Sequence, residues 1–407
     1  MPGQNPPQRV RRLAVDTRGQ AMRRIGTIAF SLLLTSAAHA GVCSGDDTAR
    51  AAASAKEARA ALYALPPGED MSGDVTDEGS RAIETFKDRL EAFAAAAMLC
   101  QSESPSAHGV KDALDRLKEK TAGEHPYGDN LAFDVDIAKS PPGLVAIKAR
   151  FGIECGEDAM LMIFARRGDS WNDVLEARSK PYKSIAESWW AMGFAISKPD
   201  ADGHWFVAVK HVAPWCSSTW SQISYAVLRP SGNPARPATL FERGDDIWWG
   251  NEDEGEIKAG ESDFDLRFHA GSMDLGVHNR EWIRHYSVHG DVVRRIAPQA
   301  ENPRDFADEW VASIWKEAGE WSSPANLKRL RAVHDEAHKI RYMDYISLHA
   351  CAGAPDRFQI EAEKADGMGG SYFFQVQGRD DYRMLDVTRR ADPGCNLPDT
   401  VDPPLPE

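Results

Sequence analysis

The chain has 407 residues, of which 42% are hydrophobic, 27% charged and 9% aromatic, with a formal net charge of −14. That balance excludes a mainly disordered, collagen-like or long coiled-coil protein, and the length leaves room for two or three domains with a sizeable core. The acidic surface repels phosphate, so no nucleic acid is expected as a partner.

Met22-Arg23-Arg24 precedes an apolar run, Ile25 to Leu34, which closes in Ala38-His39-Ala40. A basic start, a short apolar stretch and a small-x-small site form the secretory signal pattern. It predicts cleavage after Ala40 and a true start at Met22, so residues 1–40 read as an over-extended start plus signal peptide. Removing that stretch, a net of +5, leaves the remainder at −19. No later segment reaches the ~20 apolar residues that a helix needs to cross a bilayer. The expectation is therefore an exported protein, periplasmic or extracellular, with no transmembrane segment after cleavage. Six cysteines follow the signal, and an even number in an exported chain predicts disulfides.

Residues 41–125 read as a helical hairpin region. Ala55, Ala58, Leu62 and Leu65 fall at helical spacing before Pro66-Pro67, and Ile83, Phe86, Leu90, Phe93 and Ala97 repeat the stripe. Val110, Ala113, Leu114 and Leu117 form a shorter third one. Antiparallel packing of the first two helices would bring Cys43 to Cys100, which are paired on that ground.

Residues 126–300 change to short β runs. Val145, Ile147, Ala149 and Phe151 alternate with charged residues, and Met160 to Phe164, Phe206 to Val209, Ile223 to Leu228, Phe264 to Phe268 and Trp282 to Val288 are strand-like. The runs repeat. Val145-Ala146-Ile147-Lys148 matches Val207-Ala208-Val209-Lys210, and Tyr225 and Val227 match Tyr286 and Val288. A looser copy falls in Ile346 to Cys351, Phe358 to Ile360 and Tyr372 to Val376. A repeating unit of three or four strands resembles a β-propeller blade, with a twisted sandwich as the competing architecture. The fold class is α+β, mainly β, built from repeated antiparallel units.

Cys155 and Cys216 follow equivalent strands and are expected to bridge neighbouring units. Residues 301–341 read as a helical insert, with one helix from Pro303 through Trp310 and Ile314 and a second opened by Ser323-Pro324. Residues 342–396 are a C-terminal β segment tied by Cys351 and Cys395, and 397–407 read as a disordered acidic tail.

Few motifs carry chemistry. His334 and His338, at i and i+4, could share a metal with Asp335 or Glu336 as base, which would make a metal-dependent hydrolase. However, the HExxH pattern needs Glu directly after the first His, and here that place holds Asp335. The same residues also read as a packing face. His211 takes the phase of Val207 and Val209 and reads as a core histidine. Asp245 to Asp265 reads as a solvated acidic loop. No serine elbow, P-loop or dinucleotide fingerprint occurs, and no cofactor is expected.

The tryptophans are the distinctive feature. All 12 lie between Trp171 and Trp321. Adjacent strand residues face opposite ways, so one member of each close pair could be exposed. Trp189, Trp190, Trp215, Trp220, Trp248 and Trp249 are the expected binding residues of a non-catalytic module for a glycan or an envelope protein. A structural envelope protein is the bland alternative.

Overall fold

The computed structural model describes residues 45–66, 73–118, 125–214, 220–248, 255–270, 280–297, 299–340, 343–364, 370–379 and 381–395. They belong to one compact unit, Gly41–Glu407. Residues 1–40, where a signal peptide is expected, residues 397–407, Cys43, Trp215, Cys216 and Trp249 lie outside the described residues.

The helical region holds α1 (Gly45–Tyr63), α2 (Asp77–Leu99) and α3 (Ala107–Asp115). Thr76 caps α2, its hydroxyl accepting from the Gly79 amide at 3.0 Å, and Asp77 and Glu78 suit the positive end of the helix. The apolar stripe of α2 is buried as its spacing requires, against Phe133, Val145, Ile147, Phe151, Met160, Met162 and Phe164 of the first sheet.

Among the described residues sixteen strands make four sheets, each an antiparallel meander of four consecutive strands. Sheet 1 is β1 (Ala132–Ile137), β2 (Leu144–Ile153), β3 (Gly156–Arg167) and β4 (Ser170–Arg178). Sheet 2 is β5 (Trp190–Ile196), β6 (Val207–Val212), β7 (Trp220–Arg229) and β8 (Ala238–Trp248). Sheet 3 is β9 (Glu256–Ala259), β10 (Asp263–Ala270), β11 (Arg280–His289) and β12 (Val292–Arg295). Sheet 4 is β13 (Met343–Cys351), β14 (Ala354–Lys364), β15 (Tyr372–Gln377) and β16 (Arg383–Thr388). The described strands form no closed barrel.

The sequence repeat becomes a structural one. The Val145 and Val207 segments are second strands of their sheets, and Tyr225 and Tyr286 sit on third strands. The two tyrosine hydroxyls meet at 3.1 Å. The looser copy follows the same rule, with Phe358 on the second strand and Tyr372 on the third. β2 and β6 are apolar on both faces because each is covered twice. Leu144, Ala146, Leu161 and Ile163 of sheet 1 pack on Val207, Val209 and Leu228 of sheet 2. The other face of sheet 2 packs Ala208, Ile223 and Val227 on Phe264, Leu266 and Phe268 of sheet 3.

The insert holds α4 (Pro303–Ala312), α5 (Trp315–Ala318) and α6 (Leu327–Ala337). Asn302 caps α4, accepting from the amides of Arg304 and Asp305, with Pro303 at the first position. The first insert helix stops before Ile314 because Ser313 turns to the extended conformation. Its hydroxyl donates to Glu309 at 3.0 Å. Phe306, Trp310 and Leu330 pack on Ile360, Phe374 and Val376 of sheet 4.

Two buried charge networks pin these layers together. Lys87 on α2 lies 2.9 Å from Asp158 on β3, both side chains fully buried, and Asp158 also accepts from Tyr182 and the Trp189 amide. The larger network joins β8, β11, β12, α4 and α5. Glu309 receives Arg280 at 2.7 Å, Arg284 at 2.9 Å and Arg295 at 2.8 Å. Arg280 also meets Asp308, Arg284 meets Asp245, and Arg243 and Arg295 both reach Glu317. Four arginines thus face four carboxylates, so the buried charge balances. Burial alone would discourage ionisation of Glu309, yet Arg284, Arg295 and Arg280 hold its carboxyl well below the usual range.

For Asp245 this network corrects the solvated-loop reading of the acidic stretch, of which Glu252, Asp253 and Glu254 lie outside the described residues. Asp245 lies within β8, Glu256 opens β9, and Asp263 and Asp265 lie on β10. Asp245 accepts from Tyr225 at 3.0 Å and is paired by Arg284. Its charge serves packing between sheets because Arg284 comes from β11 of sheet 3.

Candidate functional site at the tryptophan end of the second sheet

The register of sheet 2 gathers the tryptophans. β5 opens at Trp190, which pairs with Val212 at the end of β6. β7 opens at Trp220, whose partner is Trp248 at the end of β8. Trp189, Trp190, Trp220 and Trp248 therefore stand at one end of one sheet, although up to 59 residues separate them in the chain. The β2–β3 turn of sheet 1 lies against this end. A Cβ on Gly156 would stand 3.2 Å from Pro214 Cβ and 3.8 Å from Trp190 Cδ1, so only glycine fits the approach without displacement.

Trp189 and Trp190 take opposite faces, as strand alternation requires. Trp189 packs on the core between sheets 1 and 2, and Trp190 on the core between sheets 2 and 3. Both are half-buried, so neither stands free while the other is core. A bulge follows Trp190, where Ala191 adopts φ 49°. Such bulges re-aim side chains at sheet edges.

His211 completes the described part of the face. Its ring stacks on Trp189 with centroids 4.6 Å apart and planes 14° apart. Burial pushes its pKa down to about 4, so the ring is neutral at physiological pH. Its Nδ1 is buried with no hydrogen-bond partner among the described residues. The described side chains at this end are thus two half-buried indoles and one neutral imidazole.

His334 and His338 are engaged elsewhere. Their rings stack at 5.3 Å on α6. His334 Nε2 lies 3.0 Å from the Ser313 carbonyl oxygen, and His338 Nδ1 lies 2.8 Å from that of Val311. These carbonyls belong to the end of α4, where helix acceptors lack intrahelical donors. Burial lowers the pKa of His334, and the edge of Trp310 packs on its ring. Asp335 is exposed. Glu336 accepts from Tyr372 at 2.8 Å and pairs with Arg389 at 2.7 Å, and these partners hold its carboxyl below the usual range. The pair thus ties α6 to α4 and leaves the expected base on a different pair of side chains.

Among the described residues, the histidine and carboxylate atoms grouped closely enough for one ion are those of Asp200, Asp202 and His204, in the β5–β6 connection. Asp200 Oδ1 accepts the amides of Asp202 and His204 at 3.0 and 2.8 Å, which closes the turn without a metal.

The cysteines divide. Cys351 and Cys395 are bonded, returning the chain end to sheet 4. Cys100 is disulfide-bonded, and its expected partner Cys43 lies outside the described residues. Cys155 is free and exposed, at φ 65° in the tight β2–β3 turn, so the bridge expected to Cys216 is not formed at its Cys155 end.

No protein-family model and no curated protein matches the chain.

Proposed function

We propose that the chain is an exported, disulfide-stabilised binding module that takes a glycan at the tryptophan end of sheet 2. The carrying observation is the convergence of Trp189, Trp190, Trp220 and Trp248 on that end through the pairing of β5 to β8. The neutral His211 stacked on Trp189 supports an uncharged ligand over a strongly ionic one. Meander sheets packed in series make a rigid support for such a face. The signal pattern ending at Ala40 and the disulfide-bonded cysteines support export.

A glycan array probed with the full mature chain, residues 41–407, tests this reading. Binding to a defined class of saccharide, lost in Trp220→Ala and Trp248→Ala, is the expected result. An array with no specific signal, together with a protein cross-linked in the envelope, would replace the glycan by a protein partner.

A further inference from the structure

Helix α2 and strand β4 meet across a group of like charges. β4 carries a bulge, since Leu175 pairs with Ile163 and Asp173 with Phe164, leaving Val174 between them. In a regular strand Asp173 and Glu176, three positions apart, would face opposite ways. The bulge turns both toward the side of Met162 and Phe164, which is the side covered by the helices. From α2 the facing charges are Asp88 and Glu91. From β4 itself comes Arg178, whose Nε lies 3.0 Å from Glu176 and whose Nη1 donates to Asp88 at 2.8 Å. β3 brings only apolar side chains there, Met162 and Phe164. Segment 230–237 meets β4 through the Pro234 carbonyl, which accepts the Glu176 amide at 2.9 Å. Lys87 on α2 is taken by Asp158 and Glu84.

Among the described residues Asp88, Glu91, Asp173 and Glu176 therefore crowd together, and Arg178 is the cation that reaches Glu176 and Asp88. The Glu176 side chain is 1% exposed. Beyond the Arg178 ion pair neither of its carboxylate oxygens makes a well-aligned hydrogen bond, and both oxygens of Asp173 are buried with only the backbone amides of Val174 and Leu175 as donors. A buried carboxylate with so few donors costs more than its protonated form.

We propose that the α2–β4 contact is a proton-operated latch, closed when Glu176 and Asp173 carry protons and loosened when both ionise. Burial and the charge of Glu91 push Glu176 up to about 7 and Asp173 up to about 6. Burial raises Glu91 as well. The protonated groups are favoured in the folded state, so their stabilising effect is complete below the ordinary carboxyl range of ~4.3. It is lost as pH rises through the raised values, between about 6 and 7. The latch would couple the helical region to the acidity of its surroundings.

Hydrogen exchange on the full mature chain at pH 5.5 and pH 8, corrected for intrinsic rates, tests it. Peptides covering α2 should lose protection by about tenfold or more at the higher pH, while peptides of α6 keep theirs. Glu176→Gln combined with Asp173→Asn should remove the difference, and Glu91→Gln serves if the double variant folds poorly. Equal α2 protection at both pH values in the wild type would overturn the latch. So would a variant that keeps the full pH dependence, or restoration of protection at pH 8 by calcium, which would make the cluster a cation site.

Discussion

Replacing Glu309 by alanine should destabilise the fold more than any surface change. The carboxylate is fully buried and receives three guanidinium groups at 2.7 to 2.9 Å, with the Ser313 hydroxyl at 3.0 Å. Its loss turns a balanced set of four arginines and four carboxylates into one with a buried excess positive charge. Breaking a buried pair from one side costs about 3–5 kcal/mol, because the remaining charge stays desolvated. With an unfolding entropy of ~2.1 cal/mol/K per residue over the ~310 described residues, that is a fall in Tm of about 5–8 °C. Glu309→Gln keeps the shape and one acceptor, so its loss should be smaller, at about 1.5–3 kcal/mol. Differential scanning calorimetry at pH 7 measures both. The wild type should also lose this advantage in acid. A carboxyl held below its ordinary value stabilises the fold above pH ~4.3, and the effect fades as pH falls through the lowered value. An alanine variant within about 1 kcal/mol of wild type would refute the reasoning, since it would mean that water already satisfies the arginines.

Lys87→Met should leave Asp158 buried without its cation and cost about 3–5 kcal/mol, read as a shift in the urea midpoint with an unchanged slope. Cys395→Ser opens a loop of sequence separation 44, for which the chain-entropy relation gives about 4 kcal/mol. Non-reducing peptide mapping of the wild type should recover Cys351 with Cys395. A Cys395→Ser protein as stable as wild type would show that β13 and the chain end hold together without the bond.

Where one element buries one face, the sequence was readable. The stripe Ile83, Phe86, Leu90, Phe93 and Ala97 lies buried on one side of α2 because a helix over a sheet demands that spacing. The second-strand repeats at Val145 and Val207 were visible because covering on both faces makes a run apolar throughout. β9 and β12, with four residues each, were not, since so few positions cannot display an alternation. Charges were the poorest guide. Asp245 looks solvated beside its acidic neighbours, but its partner Arg284 comes from another sheet. Glu176 and Asp173 gave no signal, because a bulge decides which way they face. The tryptophans were prominent by composition, whereas their convergence depends on the register of β5 to β8. The half-burial of Trp189 and Trp190 follows from sheets on both sides, which a single strand cannot reveal.

Glycan binding at the tryptophan end of sheet 2 is tested by titrating residues 41–407 with soluble oligosaccharide and following intrinsic tryptophan fluorescence. A saturable change in intensity or wavelength is expected with one saccharide class. The change should be absent in Trp220→Ala and Trp248→Ala proteins that melt like wild type. At a ligand concentration of 100 times Kd, the same sugar should add ~2.7 kcal/mol to the wild type, about 4 °C in Tm. A spectrum and a Tm unmoved by every saccharide class would contradict the claim, as would a response that survives both substitutions.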